Sequence, residues 1–236
     1  MEAILLVGGL ATRLGEMAKD TPKALMPVAG RPVIAHQVDL LASAGVSRVI
    51  LASGHLHEKL KTHVGTRFRG VDIGFAVEDK RLDTGGAIAN AMKSLTTEDP
   101  FFVLNGDVLS DADLGQMQRG LVPTATGVLL GVRVDDISAY GEILADGDRV
   151  LSFVEKRPEK REGIINAGVY LFRESIRAYF PKREVFSIER DVFPFVPELR
   201  VSTQRPRWID VGTPERLAEA STLFADRKEE KTCEPS

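Results

Sequence analysis

The chain has 236 residues, 43% of them hydrophobic, and a formal net charge of −3 with both signs mixed along its length. This is enough apolar material for one α/β domain with a real core, and it excludes nucleic-acid binding by a broad basic face, so a small anionic substrate has to meet its positive charge locally. A single cysteine, Cys233, excludes an internal disulfide framework and fits a reducing cytoplasm; the start lacks the basic n-region of a signal peptide, and no apolar run approaches the ~20 residues that span a bilayer.

The first element is the aliphatic run Glu2–Val7, which reads as a buried strand. It feeds Gly8-Gly9, then Thr12, Arg13 and, ten residues later, Lys23. Glycines without a Cβ let the backbone turn sharply and approach a ligand, and the outward N–H groups of such a turn bind anions. Arg13 can fork onto phosphate oxygens and Lys23 adds a mobile point charge, so the stretch reads as a triphosphate cradle at the carboxyl end of the first strand. A glycine pair is also an ordinary turn. The stretch matches neither G-x-x-x-x-G-K-[ST] nor G-x-G-x-x-G, which argues against a P-loop and against a dinucleotide site.

Arg31-Pro32-Val33-Ile34 is expected to open a helix that Gly45 ends. Arg48–Ala52 is expected to be the second strand, 55–64 a helix and Val71–Val77 a third strand. This β-α-β-α-β order predicts a mostly parallel sheet covered on both faces. His55 and His57, two apart, do not share a helix face, and with His63 they are read as structural or solvent-facing. In Asp83-Thr84-Gly85-Gly86-Ala87 a second pair of glycines opens a helix, and a flat base could lie against Gly85 or Gly86. The apolar run Phe101–Leu104 ends in Asn105-Gly106-Asp107, which sets a carboxylate at the sheet edge where open α/β sheets bind ligands. Asp107 is therefore the first candidate to hold a Mg²⁺ carried by a triphosphate. Asp111 and Asp113 read as caps of the next helix.

The second half is richer in strands. Thr126–Val134 reads as a strand, Tyr140–Leu144 and Arg149–Pro158 as a hairpin turned at Asp146-Gly147, and Ile164–Phe172 as another strand. Trp208-Ile209-Asp210 reads as a short strand before a helix that Thr213 caps and Pro214 opens. From about Asp226 the chain is charged without apolar periodicity, and 226–236 is expected to be a disordered tail.

Gly8-Gly9-Leu10-Ala11-Thr12-Arg13-Leu14 with Pro22-Lys23 and Pro27 resembles the signature of the sugar-1-phosphate nucleotidyltransferases, with Ala11 in place of the usual third glycine. The resemblance extends to Thr84-Gly85-Gly86, where Asp83 stands for a usual glycine, to Tyr140-Gly141, to Phe153-Val154-Glu155-Lys156 with Arg157 inserted before Pro158, to Asn166-Ala167-Gly168 and to Trp208-Ile209-Asp210-Val211-Gly212-Thr213. It implies a Rossmann-like three-layer α/β/α fold with a mostly parallel mixed sheet, of GT-A-like nucleotidyltransferase type, and a β-rich sugar-binding part. One domain would span 1–225, with a nucleotide part over 1–120 and a sugar-phosphate part over 121–225.

The resemblance also implies the site. Arg13 and Lys23 would be catalytic. Leu6, Gly8, Gly9, Ala11, Thr12, Glu78, Thr84, Gly85, Gly86, Asn105 and Asp107 would contact the nucleotide. Gly141, Glu155, Lys156, Asn166 and Gly168 would contact the sugar phosphate, and Asp107 and Asp210 would hold Mg²⁺. The implied partners are a nucleoside triphosphate and a sugar 1-phosphate, with no nucleic acid and no membrane; the sequence leaves a homo-oligomer open. The N-terminal loop, Asn166-Ala-Gly-Val-Tyr and Phe186-Ser-Ile-Glu lean toward enzymes that activate heptose or mannose 1-phosphate with GTP. Leu82-Asp-Thr-Gly-Gly and Asn105-Gly-Asp-Val lean toward uridylyltransferases of N-acetylmuramate 1-phosphate. A catalytically silent nucleotide-sugar sensor should lack a metal aspartate or the loop lysine, and both are present.

Overall fold

Strand β1 (Glu2–Leu6) alternates between two cores, as a strand covered on both faces must. Ala3 and Leu5 join one cluster and Ile4 the other, all fully buried. The computed structural model describes residues 1–96, 99–154 and 158–225. After β1 the chain forms a loop, a 3₁₀ segment (Thr12–Ala18), a short turn (Lys23–Leu25) and a small hairpin, β2 (Pro27–Val28) with β3 (Arg31–Pro32). Helix α1 (Val33–Ser43) follows, then β4 (Arg48–Ser53), α2 (His57–Val64), β5 (Arg67–Phe68), β6 (Val71–Val77), α3 (Asp83–Ala91) and β7 (Phe101–Asn105). The expected helix start at Arg31 is thus displaced: Arg31 and Pro32 finish the hairpin, and Pro32, with ψ 148, is the last extended residue before α1.

The chain continues through β8 (Val108–Ser110), α4 (Leu114–Gly120), β9 (Gly127–Val134), β10 (Glu142–Asp146), β11 (Arg149–Val154) and β12 (Gly163–Phe172). It ends with α5 (Ile188–Asp191), β13 (Leu199–Gln204), β14 (Trp208–Asp210) and α6 (Pro214–Leu223). Ten strands form one mixed sheet in the order β10-β11-β13-β9-β12-β7-β1-β4-β6-β5. β7, β1, β4 and β6 run parallel, and β12 returns antiparallel to both β7 and β9.

α1, α2 and α4 pack on one face of the sheet through residues such as Val38, Leu60 and Met117. α3 and α5 cover the other face through Ile88 and Ile188. β8 and β14 pair outside the main sheet, over a third cluster that joins Leu14, Met26 and Val28 to Ile209, Val211 and Leu217 of the last strand and helix.

The order of the parallel strands positions the site. From β1 the chain builds outward to β4 and β6, then crosses back to set β7 on the other side of β1. The carboxyl ends of β1 and β7 therefore flank a topological switch point, where an open sheet leaves a crevice. Gly106, just past β7, lies so close to the Leu6 carbonyl that a Cβ would collide with it, and its N–H donates to that carbonyl at 3.0 Å. Asp113 caps α4, accepting the Gln116 N–H at 3.1 Å. Asp111 does not act as a cap: its carboxylate takes the Arg207 Nε at 2.6 Å and the Arg207 backbone N–H at 2.8 Å. The expected tail 226–236 lies outside the described residues, as do Glu155 and Lys156. No described helix is long and apolar enough to cross a membrane.

Candidate active site

A cleft of about 390 Å³ opens at the switch point, lined by Leu6–Arg13, Lys23, Glu78, Arg81, Asp83, Thr84, Asn105–Asp107 and Gly212. Its floor is the loop after β1. Gly8 is there for space: a Cβ would sit 3.0 Å from Glu78 Oε1 and 3.3 Å from the Gly54 N. A Cβ on exposed Gly9 would meet nothing within 4 Å, so that side of the loop is open to a ligand. Ala11 explains the usual glycine at its position, because it adopts φ 51 and ψ 34, the left-handed region that costs an alanine ~1–2 kcal/mol. Asp83 is a second such case at φ 61. Its carboxylate eases that conformation by accepting the Thr84 N–H at 2.8 Å, and it also receives Arg190 Nη2 at 3.1 Å.

At one end of the cleft, Lys23 Nζ lies 2.9 Å from Asp107 Oδ2. Asp210 stands beside this pair because β14 pairs antiparallel with β8 in the register Asp210↔Val108, and the Val211 N–H donates to the Asp107 carbonyl at 2.7 Å. The Arg13 guanidinium crosses Gly212: a Cβ there would be 2.7 Å from Arg13 Nη2 and 3.0 Å from Asp210 Oδ1. Arg13, Lys23, Asp107 and Asp210 are thus brought to one spot from four separate segments. The two carboxylates are hard oxygen donors, Asp107 in the turn before β8 and Asp210 at the end of β14, and no group of three His, Cys, Asp or Glu side chains with metal-binding geometry occurs among the described residues. That donor set suits Mg²⁺, which commonly takes one or two carboxylates and completes its shell with phosphate oxygens and water.

Glu78 lies beyond Gly54, at the carboxyl end of β6 and toward the other end of the cleft. It is half-buried, Oε2 accepts the Leu82 N–H at 3.3 Å, and burial raises its pKa from the usual carboxylate value.

The structure changes the reading of Gly85 and Gly86. The Cβ direction of Gly85 points into the Phe186 ring and that of Gly86 into the Glu184 carbonyl, and both N–H groups donate to the Phe186 carbonyl. Both glycines are buried against the chain's own 184–188 segment, and Gly86 lines a second cavity beside Leu82 and Phe186. Thr84 is likewise engaged: its hydroxyl donates to Glu189 Oε2 at 2.9 Å and accepts the Ile188 N–H at 3.0 Å. Thr12 is exposed on the cleft wall, and Asn105 reaches the cleft from the end of β7.

Among the residues expected to meet the sugar phosphate, Gly141 is exposed at the head of β10. Gly168, at φ 72, lies in the register shift of β12, its Cβ direction against Asn105 Nδ2 at 2.6 Å. Asn166 is partly committed within the chain, with one amide N–H and one oxygen lone pair left over. Its Nδ2 donates to Tyr170 Oη at 3.0 Å and its Oδ1 accepts the Gly168 N–H at 3.2 Å.

Three cleft or near-cleft residues escaped the sequence reading. Gly212 was visible inside its motif without an assigned role. Arg81 gives no local signal. Arg216 carries one: it is a cation in the first turn of α6, where the helix dipole disfavours it.

A doubly covered mixed sheet, with a basic and acidic cluster at the switch point of its parallel strands, suits an α/β enzyme of phosphate chemistry. The chain belongs to the nucleotidyl transferase family, whose profile matches residues 2–227, and within it to the sugar-1-phosphate nucleotidyltransferases. Enzymes of this class join a nucleoside triphosphate and a sugar 1-phosphate into a nucleotide sugar, releasing pyrophosphate, and generally work with a divalent cation.

The chain is 34% identical to D-glycero-alpha-D-manno-heptose 1-phosphate guanylyltransferase of Campylobacter jejuni, across 91% of this chain and 96% of that protein. It is 35% identical to the Aneurinibacillus thermoaerophilus protein of the same name, across 81% of this chain and 83% of that one. It is also 35% identical to mannose-1-phosphate guanylyltransferase of Mycobacterium tuberculosis, covering 94% of this chain and only 64% of that longer protein. The crystal structure of HddC from Yersinia pseudotuberculosis in complex with GMP-PN superposes with a TM-score of 0.82 at 31% identity, over 94% of this chain and 99% of that one.

Proposed function

We propose that this chain transfers GMP from GTP to the 1-phosphate of a manno-configured heptose or hexose. The observation that carries the choice of base is Glu78. An ionised carboxylate only accepts hydrogen bonds, and guanine presents two adjacent donors, N1–H and the N2 amino group, on its Watson–Crick edge. Glu78 follows β6 and Asp107 follows β7, with β1 and β4 between them in the sheet, so a nucleotide laid across these strand ends meets Lys23 and Asp107 at one end and this acceptor at the other. Relatives named as guanylyltransferases of heptose and mannose 1-phosphates support the same reading.

In this proposal an oxygen of the sugar phosphate attacks the α-phosphorus of GTP. A new P–O bond forms, the bond to the bridging oxygen breaks, and pyrophosphate leaves. The attacking phosphate is already ionised, so no protein nucleophile is needed, and catalysis is positioning with charge neutralisation. The loop 8–12 and Arg13 hold the triphosphate and the departing pyrophosphate. Lys23 moves from Asp107 to the α-phosphate, where charge builds up in the transition state. Asp107 and Asp210 would hold Mg²⁺, which supplies charge neutralisation between the two phosphates when bound. Gly141 leaves room for the sugar ring, Gly168 and Asn166 shape the wall behind it, and Glu155 and Lys156 serve its hydroxyls and phosphate.

Pyrophosphate release with Mg²⁺, for five nucleoside triphosphates against a panel of heptose, mannose and other sugar 1-phosphates, tests the reading. Turnover with GTP and a manno-configured acceptor is expected. Turnover confined to UTP with N-acetylmuramate 1-phosphate or a hexose 1-phosphate would select the uridylyltransferase alternative. Tight nucleotide binding without turnover across the panel would select a silent sensor.

A further inference from the structure

We propose that Arg216 is a further ligand for the phosphate of the sugar 1-phosphate; this rests on the transfer reaction proposed above. Arg216 Nη2 lies 3.8 Å from Asp210 Oδ2, its guanidinium lies over the Tyr140 ring with Cζ 5.7 Å from the centroid, and Nη2 bonds the Tyr140 hydroxyl. Tyr140 directly precedes Gly141. Its ring meets Trp208 edge-on at 5.5 Å, and Trp208 Nε1 donates to the carbonyl of Ala167, between Asn166 and Gly168, at 2.9 Å. One guanidinium therefore stands where the sugar-side segments meet Asp210.

The acceptor's phosphate has to occupy that same junction. Its attacking oxygen must reach the α-phosphorus beside Lys23, Asp107 and Asp210, while its ring lies by Gly141. Arg13, across Gly212, flanks Asp210 for the triphosphate, and Arg216 flanks it for the acceptor. The guanidinium has donors to offer: of five N–H groups, one serves Tyr140, and Asp210 lies beyond direct hydrogen-bond distance. Its place also calls for a reason other than helix stability, because the third residue of α6 sits at the positive end of the helix dipole. An anion bound there would be favoured by both the dipole and the arginine fork.

The test compares Arg216→Met and Arg216→Lys with the wild type, using mannose 1-phosphate and a heptose 1-phosphate as probes. Steady-state kinetics gives KM for each substrate separately. Trp208, the only tryptophan of the chain, reports acceptor binding by its fluorescence without nucleotide. Loss of one charge-assisted phosphate contact raises the acceptor KM about 10–100-fold in Arg216→Met. The Trp208 titration shifts by a similar factor, the KM for GTP is unchanged, and Arg216→Lys recovers much of the loss.

Unchanged acceptor affinity in Arg216→Met overturns the assignment. So does a parallel rise of both KM values with a lowered Tm and no rescue by lysine, which would make Arg216 a clamp on Tyr140. A Trp208 response in the wild type that vanishes in Arg216→Met at unchanged Tm and returns in Arg216→Lys upholds the assignment even without turnover, separating it from failure of the proposed reaction. No response and no turnover with any sugar 1-phosphate overturns both.

Discussion

Replacing Glu78 by glutamine keeps shape and removes one acceptor, so it isolates the base-reading step. Glu78 Oε2 already accepts the Leu82 N–H at 3.3 Å. In the amide only the oxygen can do this, which turns the NH₂ group toward the cleft and toward the donor edge of guanine. One charged hydrogen bond is lost and two donors are set face to face. A hydrogen bond to a charged group contributes ~1.5–3 kcal/mol, so kcat/KM for GTP should fall roughly 10–150-fold. The same NH₂ offers a donor to a base carbonyl, so the preference for GTP over UTP should narrow by more than the GTP loss alone. Folding does not confound the comparison: burial disfavours the charged form of Glu78, and an uncharged amide of the same shape removes that cost without lowering Tm. Pyrophosphate release at subsaturating GTP and UTP, with thermal unfolding as control, measures both. An unchanged kcat/KM for GTP in a folded Glu78→Gln enzyme would refute the reasoning and remove Glu78 from base recognition.

The raised pKa of Glu78 has two further consequences. Recognition of guanine needs the carboxylate, so kcat/KM for GTP should drop as pH is lowered through that raised pKa, a limb missing from the Glu78→Gln profile. A folded-state pKa above the unfolded one means the native state holds the proton more tightly, so this group's contribution to stability is fully present below the unfolded pKa and lost as pH rises through the folded one. Lys23→Ala and Asp107→Asn should each reduce pyrophosphate release at least ~10²-fold, about 3 kcal/mol of transition-state stabilisation; near-normal turnover in either would exclude that residue from the mechanism. Chelation should abolish turnover, added Mg²⁺ should restore it, and Asp210→Asn should raise the Mg²⁺ concentration needed for half-maximal rate. Ala11→Gly should keep or raise the denaturant midpoint, whereas Ala11→Val, with a β-branched side chain at positive φ, should lose about 1–2 kcal/mol.

What was legible in the sequence was whatever is encoded locally. The apolar runs of β1, β4, β6 and β7 and the glycine ends of their loops announce parallel strands and a ligand-facing edge, and Asp113 and Thr213 announce their helices. What was not legible depends on partners far along the chain. Gly85 and Gly86 look like an open platform until Glu184 and Phe186 are laid against them. Asp111 looks like a cap until Arg207 arrives. The proximity of Asp107 and Asp210 came only from matching a motif, since no periodicity announces a three-residue ladder between strands so far apart in sequence.

That ladder has a consequence for how the protein opens. β8 and β14 lie outside the ten-stranded sheet, and the core beneath them joins Leu14, Met26 and Val28, which flank Arg13 and Lys23, to Leu217 and Ala220 of α6. The two basic residues and the two carboxylates thus rest on one small cooperative unit, closed by the last helix. Undocking that unit should dismantle the end of the cleft that carries Arg13, Lys23, Asp107 and Asp210 while the ten-stranded sheet persists, and a ligand bridging the four side chains should suppress the motion. Protease resistance and amide exchange at α6 would then track occupancy of the cleft, even at turns of the helix far from any bound ligand.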